Sequence, residues 1–91
     1  MIKIVKVTGV IWLDLYRLQV AFSDGTSGTH NFAKMVALTG SMVEPLRDIE
    51  LFKKVFVRLG VLTWPNGFDI DAIQLHNEMK EAGELRRDAA E

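Results

Sequence analysis

An α+β fold is predicted: a small antiparallel sheet of about five strands, arranged as two hairpins, with a short helix between them and a longer helix near the C-terminus. Three observations carry this. Tyr16, Leu18, Val20 and Phe22 alternate with Arg17, Gln19 and Ala21 at the period of a half-buried strand. Val55, Val57 and Leu59 alternate in the same way with Lys54, Phe56 and Arg58. Asp71, followed three residues later by Gln74, opens the chain's clearest amphipathic helix with a capping-box pattern. Strands alternating with long helices are absent from the pattern, which disfavours a parallel nucleotide-binding sheet.

The elements follow in order. Residues 2–11 are rich in Ile and Val and read as a strand, with Val5 and Val7 on one face and Ile2 and Ile4 on the other. The alternating run 16–22 is the second strand. Asp24-Gly25 predicts a two-residue hairpin of the type that needs positive φ at both central residues, which makes 26–31 the returning strand. Asn31 can cap a short helix over FAKMVAL, with Gly40 as its left-handed terminator. Pro45 breaks helical continuity, and Asp48 caps a further turn at IELFKK. The strand from Lys54 reverses at Gly60 into the short run 61–64. The last helix spans residues 72–82 with an apolar stripe of Ile73, Leu75, Met79 and Ala82, and Gly83 ends it. Residues 1–83 are thus expected to form one domain, with 84–91 a charged, frayed tail.

The chain has 91 residues, 48% hydrophobic and 25% charged, enough for one modest core. It has no cysteine, which excludes disulfides, thiolate nucleophiles and Cys-based zinc sites and suits a cytoplasmic location. The N-terminal apolar run carries Lys3 and Lys6 and lacks the form of a signal peptide, and no membrane span is expected. A net charge of −1 argues against a dedicated grip on nucleic acid. The charge is nevertheless segregated. Residues 1–65 hold eight Lys and Arg against five Asp and Glu, whereas residues 66–91 hold three against seven.

Catalytic patterns are thin. His30 and His76 have no second ligand at metal-binding spacing, Ser23, Ser27 and Ser41 lack a nucleophile-elbow context, and the two glycines of SDGTSG enter a strand instead of a helix. The most distinctive stretch is TWPNGFDID, residues 63–71. Asn66, Asp69 and Asp71 could be imagined around a hard cation, but a third acid and a distal glutamate are missing, and Asp69 or Asp71 as a helix cap is the better reading. Trp64 is expected to cover one end of the core, Pro65 to stop the strand ladder, and Asn66-Gly67 to turn the chain. No cofactor, no metal and no enzymatic activity are expected.

Two surfaces invite a partner. Lys54, Phe56 and Arg58 would form a basic and aromatic strand face, with Arg47 nearby. Glu78, Glu81 and Glu84, continued by Asp88 and Glu91, would form an acidic row at helical spacing. Unpaired edge strands in so small a sheet also allow a homodimer.

In combination, FSDGT at 22–26, Gly40, PLRD at 45–48, Leu51-Phe52, Val55, WPNGFDID at 64–71 and Leu75 resemble the small bacterial proteins of domain-of-unknown-function family 2442. The resemblance covers about residues 5–77. The sequence departs from the family's pattern at Asn31, Ile49, Ala72 and His76, where aspartate, proline, proline and tyrosine are frequent. The resemblance implies a compact α+β domain with an antiparallel sheet. It also implies a non-catalytic interaction role, antitoxin-like or regulatory, toward another small protein encoded nearby. Some relatives carry a helix-turn-helix, which the residues after Leu75 here do not provide. Two other functions are open: a phage-type inhibitor that occupies a nucleic-acid-binding surface with its acidic C-terminal helix, and a weak nucleic-acid binder through the basic strand face.

Overall fold

The computed structural model describes residues 4–87. Its elements are β1 (Val7–Asp14), β2 (Arg17–Phe22), β3 (Thr26–Asn31), α1 (Ala33–Val36), a 3-10 turn (Glu44–Arg47), α2 (Ile49–Phe52), β4 (Phe56–Arg58), β5 (Val61–Thr63), β6 (Asp69–Ile70), α3 (Ala72–Glu81) and β7 (Arg86–Arg87). The α+β class and the antiparallel pairing are as expected. The strands are divided between two sheets, however, in the orders β1-β2-β3-β7 and β4-β5-β6. The two extra strands, β6 and β7, are two residues each and too short to show a period in the sequence.

The first sheet is organised by β2, whose Leu18, Val20 and Phe22 are buried while Arg17 and Gln19 are exposed. On β1, Val10 pairs with Val20 and Trp12 with Leu18, so both face the core. Val7 also faces inward although it lies an odd number of residues away, because the register slips at Thr8 and an extra residue restores the facing. Beyond Asp14 the chain reverses through Leu15 and Tyr16. Arg17 closes that turn with a two-pronged grip on Asp14, Nε to Oδ1 and Nη2 to Oδ2 at 2.8 Å each.

Turn chemistry differs from expectation in an instructive way. At Asp24-Gly25 only Gly25 has positive φ (86°), and its N–H donates to the Phe22 carbonyl, so the loop has three residues, 23–25, ending in a left-handed glycine. The Asp24 carboxylate accepts the Thr26 N–H, which makes this arrangement self-supporting. Residues 65–67 repeat the same design: Gly67 (φ 94°) donates to the Trp64 carbonyl, and the Asn66 side chain accepts the Phe68 N–H. Pro65 therefore sits inside a turn and does more than stop a strand.

The two-residue turn with positive φ at both positions occurs instead at Leu59-Gly60 (52° and 80°), between β4 and β5. Leucine is poorly suited to this conformation, and its side chain is 90% exposed, so no packing compensates. Leu59→Asn should stabilise the protein by about 1 kcal/mol, read as a higher midpoint in thermal or urea unfolding.

The core gathers β2, Val36, Leu46, Phe52, Leu62, Trp64 and the inner side of α3. On α3 the buried residues are Ala72, Leu75 and Met79, whereas Ile73 is 43% exposed and Ala82 is exposed. The apolar stripe is thus turned from the expected one, with Ala72 in place of Ile73 and Ala82 on the inner side.

Residues 84–87 do not fray. α3 ends in a Schellman motif: Gly83 (φ 74°) donates to the Lys80 carbonyl and Glu84 to the Met79 carbonyl. The chain then turns back along β3, pairing Ser27 with Arg86 and Thr26 with Arg87, while Leu85 packs against the core. The expected tail is corrected to a docked strand up to Arg87; residues 88–91 lie outside the described residues. The reason is legible on β3. Its inward positions, opposite Phe22, Val20 and Leu18, are Thr26, Gly28 and His30, which are small or polar. Gly28 leaves room for the returning backbone at Glu84, and His30 meets the Glu84 carboxylate.

Candidate functional site: an acid-rimmed groove

Between α1 and the corner joining β6 to α3 lies an open groove of about 870 Å³. Its floor is apolar, formed chiefly by Phe32, Met35, Phe68, Ile70 and Leu75. Carboxylates of Asp69, Asp71, Glu78 and Glu84 line it, against Lys34 and His30.

Each wall has a local cause. Asn31 bends the chain from β3 into α1 by accepting the Ala33 N–H, which places Lys34 and Met35 along one side. The turn at 65–67 returns the chain so that Phe68 and Ile70 reach the floor while Asp69 stays exposed. Asp71 is the N-cap of α3 and accepts the Gln74 N–H at 3.1 Å. Gln74 and Glu78 follow on the same side of the helix. At one end, His30 Nδ1 and Glu84 Oε1 are 2.7 Å apart, joining β3 to the returning segment.

Beneath the floor an aromatic series runs from His30 through Phe32, Phe52 and Trp64 to Phe68, with successive ring centroids 4.7 to 6.2 Å apart. Trp64 is 1% exposed and donates its indole N–H to the Phe52 carbonyl at 2.9 Å. The groove is therefore seated on the buried aromatic core.

The residues expected to meet a partner are dispersed. Arg47 is exposed, but its guanidinium is engaged within the chain: it donates to the Val36, Ala37 and Leu38 carbonyls and satisfies the end of α1. Its own carbonyl accepts the Tyr16 hydroxyl. Lys54 precedes β4, and Phe56 and Arg58 are exposed on β4, away from the groove. Lys53, adjacent to them, is turned toward Glu50 and over the Trp12 ring.

The acidic row is also corrected. α3 stops at Glu81, and Glu84 lies beyond a left-handed glycine with its carboxylate on His30, so Glu78, Glu81 and Glu84 do not continue one helical line. Asp88 and Glu91 lie outside the described residues. Glu78 and Glu84 instead join Asp69 and Asp71 at the groove, a juxtaposition of β6, α3 and the returning segment invisible to helical spacing.

A second histidine pair was likewise hidden. His76 Nε2 lies 2.9 Å from Asp24 Oδ2, and its ring meets Phe22 edge-on. The two partners are 52 residues apart in sequence, and only the polar character of the Asp24 turn hints at a distant acceptor. Burial raises the Asp24 pKa, but hydrogen bonds from the Thr26 hydroxyl and backbone and from His76 outweigh it, leaving the carboxyl below its ordinary 3.8. A lowered folded pKa adds stability above the unfolded value that is lost as pH falls through the folded one. Stability should therefore decline as pH drops below about 4, with a shallower acid limb in Asp24→Asn, measured by urea unfolding across the acid range.

Among the described residues no group of three or more His, Cys, Asp or Glu is placed to hold a metal ion, and no helix is long and apolar enough to cross a membrane. Asn66, considered above as a cation ligand, donates its amide to the Met42 carbonyl.

Residues 7–81 match the model of the family described as "Protein of unknown function (DUF2442)". The chain belongs to this family. The matched region holds both Asx-Gly turns, Trp64 and three of the four groove carboxylates. Glu84 and β7 lie beyond it. Comparison with curated proteins and with solved structures gives no match.

Proposed function

We propose that this member of the family is a non-catalytic protein-interaction module of the cytosol, an antitoxin-like or regulatory partner of another small protein encoded beside it. The observation that carries this reading is the groove: an apolar floor on an aromatic base, open to solvent and rimmed by charge, with Asp71 capping α3 and Glu84 paired with His30 and no set of groups converging on a reacting centre. The family resemblance favours the same conclusion. Co-expression with the product of the adjacent gene, followed by size-exclusion chromatography, should yield a stoichiometric complex. Separate elution of the two proteins at micromolar concentration would overturn the reading.

Direct nucleic-acid binding through β4 is the competing reading, favoured by Phe56 standing 40% exposed beside Arg58. Titration with single-stranded and double-stranded DNA at low salt decides between them, since absence of binding under those permissive conditions removes it.

A further inference from the structure

The groove has a chemical preference that the interaction reading alone does not specify. Among the described residues, Asp69, Asp71 and Glu78 have no cationic side chain within salt-bridge distance, because the ion pairs are Asp14 with Arg17, Glu84 with His30, Glu50 with Lys53 and Asp24 with His76. Three uncompensated carboxylates therefore stand along an apolar trough whose one lysine, Lys34, is on the opposite wall. Such a site repels acids and polyanions and gains from a cation placed at its rim. Among the described residues no segment of the chain fills the trough: β7 runs from Glu84 along β3 toward Thr26, away from the groove residues His30 and Asn31.

Resting on the interaction reading, we propose that the groove is the docking site for a basic amphipathic segment of a partner protein, which lays apolar side chains on the half-buried Met35, Phe68 and Ile70 and sets Lys or Arg against Asp69, Asp71 and Glu78. The pairing logic is that of an amphipathic helix in a groove: burial of the apolar face supplies affinity, and the charged rim supplies register and speed of encounter. Asp71 keeps a lone pair for such a cation while capping α3, since the Gln74 N–H occupies only part of its acceptor capacity.

The test uses the full chain, labelled with nitrogen-15, titrated with a synthetic leucine-lysine amphipathic peptide about three helical turns long. A leucine-glutamate peptide of the same spacing is the control. Amide shifts should concentrate at residues 30–35, 68–71 and 74–78 with the basic peptide only, and the affinity should fall with added salt. The double variant Asp69→Asn, Glu78→Gln, at two exposed positions, should weaken binding about tenfold or more while leaving the unfolding midpoint near that of the parent. Shifts centred on β4 or β1, equal binding of both peptides, or an unchanged affinity of the double variant would each overturn the proposal. The same double variant in complex with the gene-neighbour product separates the two levels. An intact complex would retain the interaction module and reject the groove as its site, whereas no complex with the parent chain would reject the module itself. Concentration-dependent dimerisation that the double variant abolishes would assign the groove to a second copy and likewise overturn the basic-segment proposal.

Discussion

Replacing Trp64 with alanine should lower the unfolding free energy by about 3–5 kcal/mol, a large part of what a domain of this size possesses. The indole is 1% exposed and stands between Phe52 and Phe68, at ring distances of 5.7 and 5.8 Å. Truncation opens a cavity where the second sheet meets the α2 end of the core, and the cavity cannot collapse easily because the turn at 65–67 holds the backbone on either side. It also removes one of two donors to the Phe52 carbonyl, at the end of α2, which keeps the Val55 N–H at 3.3 Å, an added cost of about 0.5–1.5 kcal/mol within that range. The melting temperature should fall by roughly 15–30 °C. Trp64→Phe keeps an aromatic ring while removing the donor and part of the ring volume, so it should recover about half of the loss. A Trp64→Ala variant that remained as stable as the parent but no longer bound its partner would place Trp64 in an interface instead of the core.

Gly28→Ala should strip β7 from the sheet. A Cβ at Gly28 would lie 2.0 Å from the Glu84 carbonyl oxygen and 2.9 Å from its carbon, closer than any real contact, and both are backbone atoms that no rotamer change can move. The clash need not unfold the domain, because the segment after Gly83 can peel away. Its departure would break the Ser27–Arg86 and Thr26–Arg87 pairing, the His30–Glu84 contact and the burial of Leu85. The expected cost is about 2–3 kcal/mol, the worth of a few hydrogen bonds and one partly buried leucine. Hydrogen exchange at residues 84–87 should accelerate to near the rate of open chain. In a chain ending at Gly83 the same substitution should be almost silent, since the two changes remove the same contacts and are not additive. Exchange protection unchanged in Gly28→Ala would mean that Glu84 does not cross β3 at this point.

The two results together bear on how the groove is built. Trp64 fixes its base through Phe52 and Phe68, while Gly28 admits the segment that carries Glu84 to its end. The first should affect everything at once. The second should leave Asp69, Asp71 and Glu78 in place and change only the His30 end, so that the basic-peptide affinity of Gly28→Ala falls modestly compared with that of Asp69→Asn, Glu78→Gln.

Much of this molecule was decided locally. The alternation of Leu18, Val20 and Phe22 with polar neighbours sufficed for β2, because a strand with one wet face cannot slip by one residue without burying Arg17 and Gln19. Asp71 and Gly83 bounded α3 because helix ends need acceptors for their first N–H groups and a left-handed residue at their last turn, demands that a few adjacent residues meet. The turn at Asp24-Gly25 was legible as a turn, but its geometry was not. Whether one or both central residues take positive φ depends on the register of the strands it joins, and at Leu59-Gly60 that register imposed the conformation on a leucine.

What only the tertiary structure decided are the meetings between distant residues. Arg47, an exposed cation at the end of the 3-10 turn, also caps α1 by donating to the Val36, Ala37 and Leu38 carbonyls, a meeting that its own neighbours in sequence do not announce. Helical spacing makes Glu84 the third member of an acidic row, whereas it stands at the end of the groove, because Gly83 reverses the chain and the small, polar inward face of β3 accepts it. His76 and Asp24, and His30 and Glu84, are separated by 52 and 54 residues. Period and propensity report which side of an element is apolar, and so they determine the core. They carry no information on which polar groups from different elements arrive at one place, and that arrival makes the site.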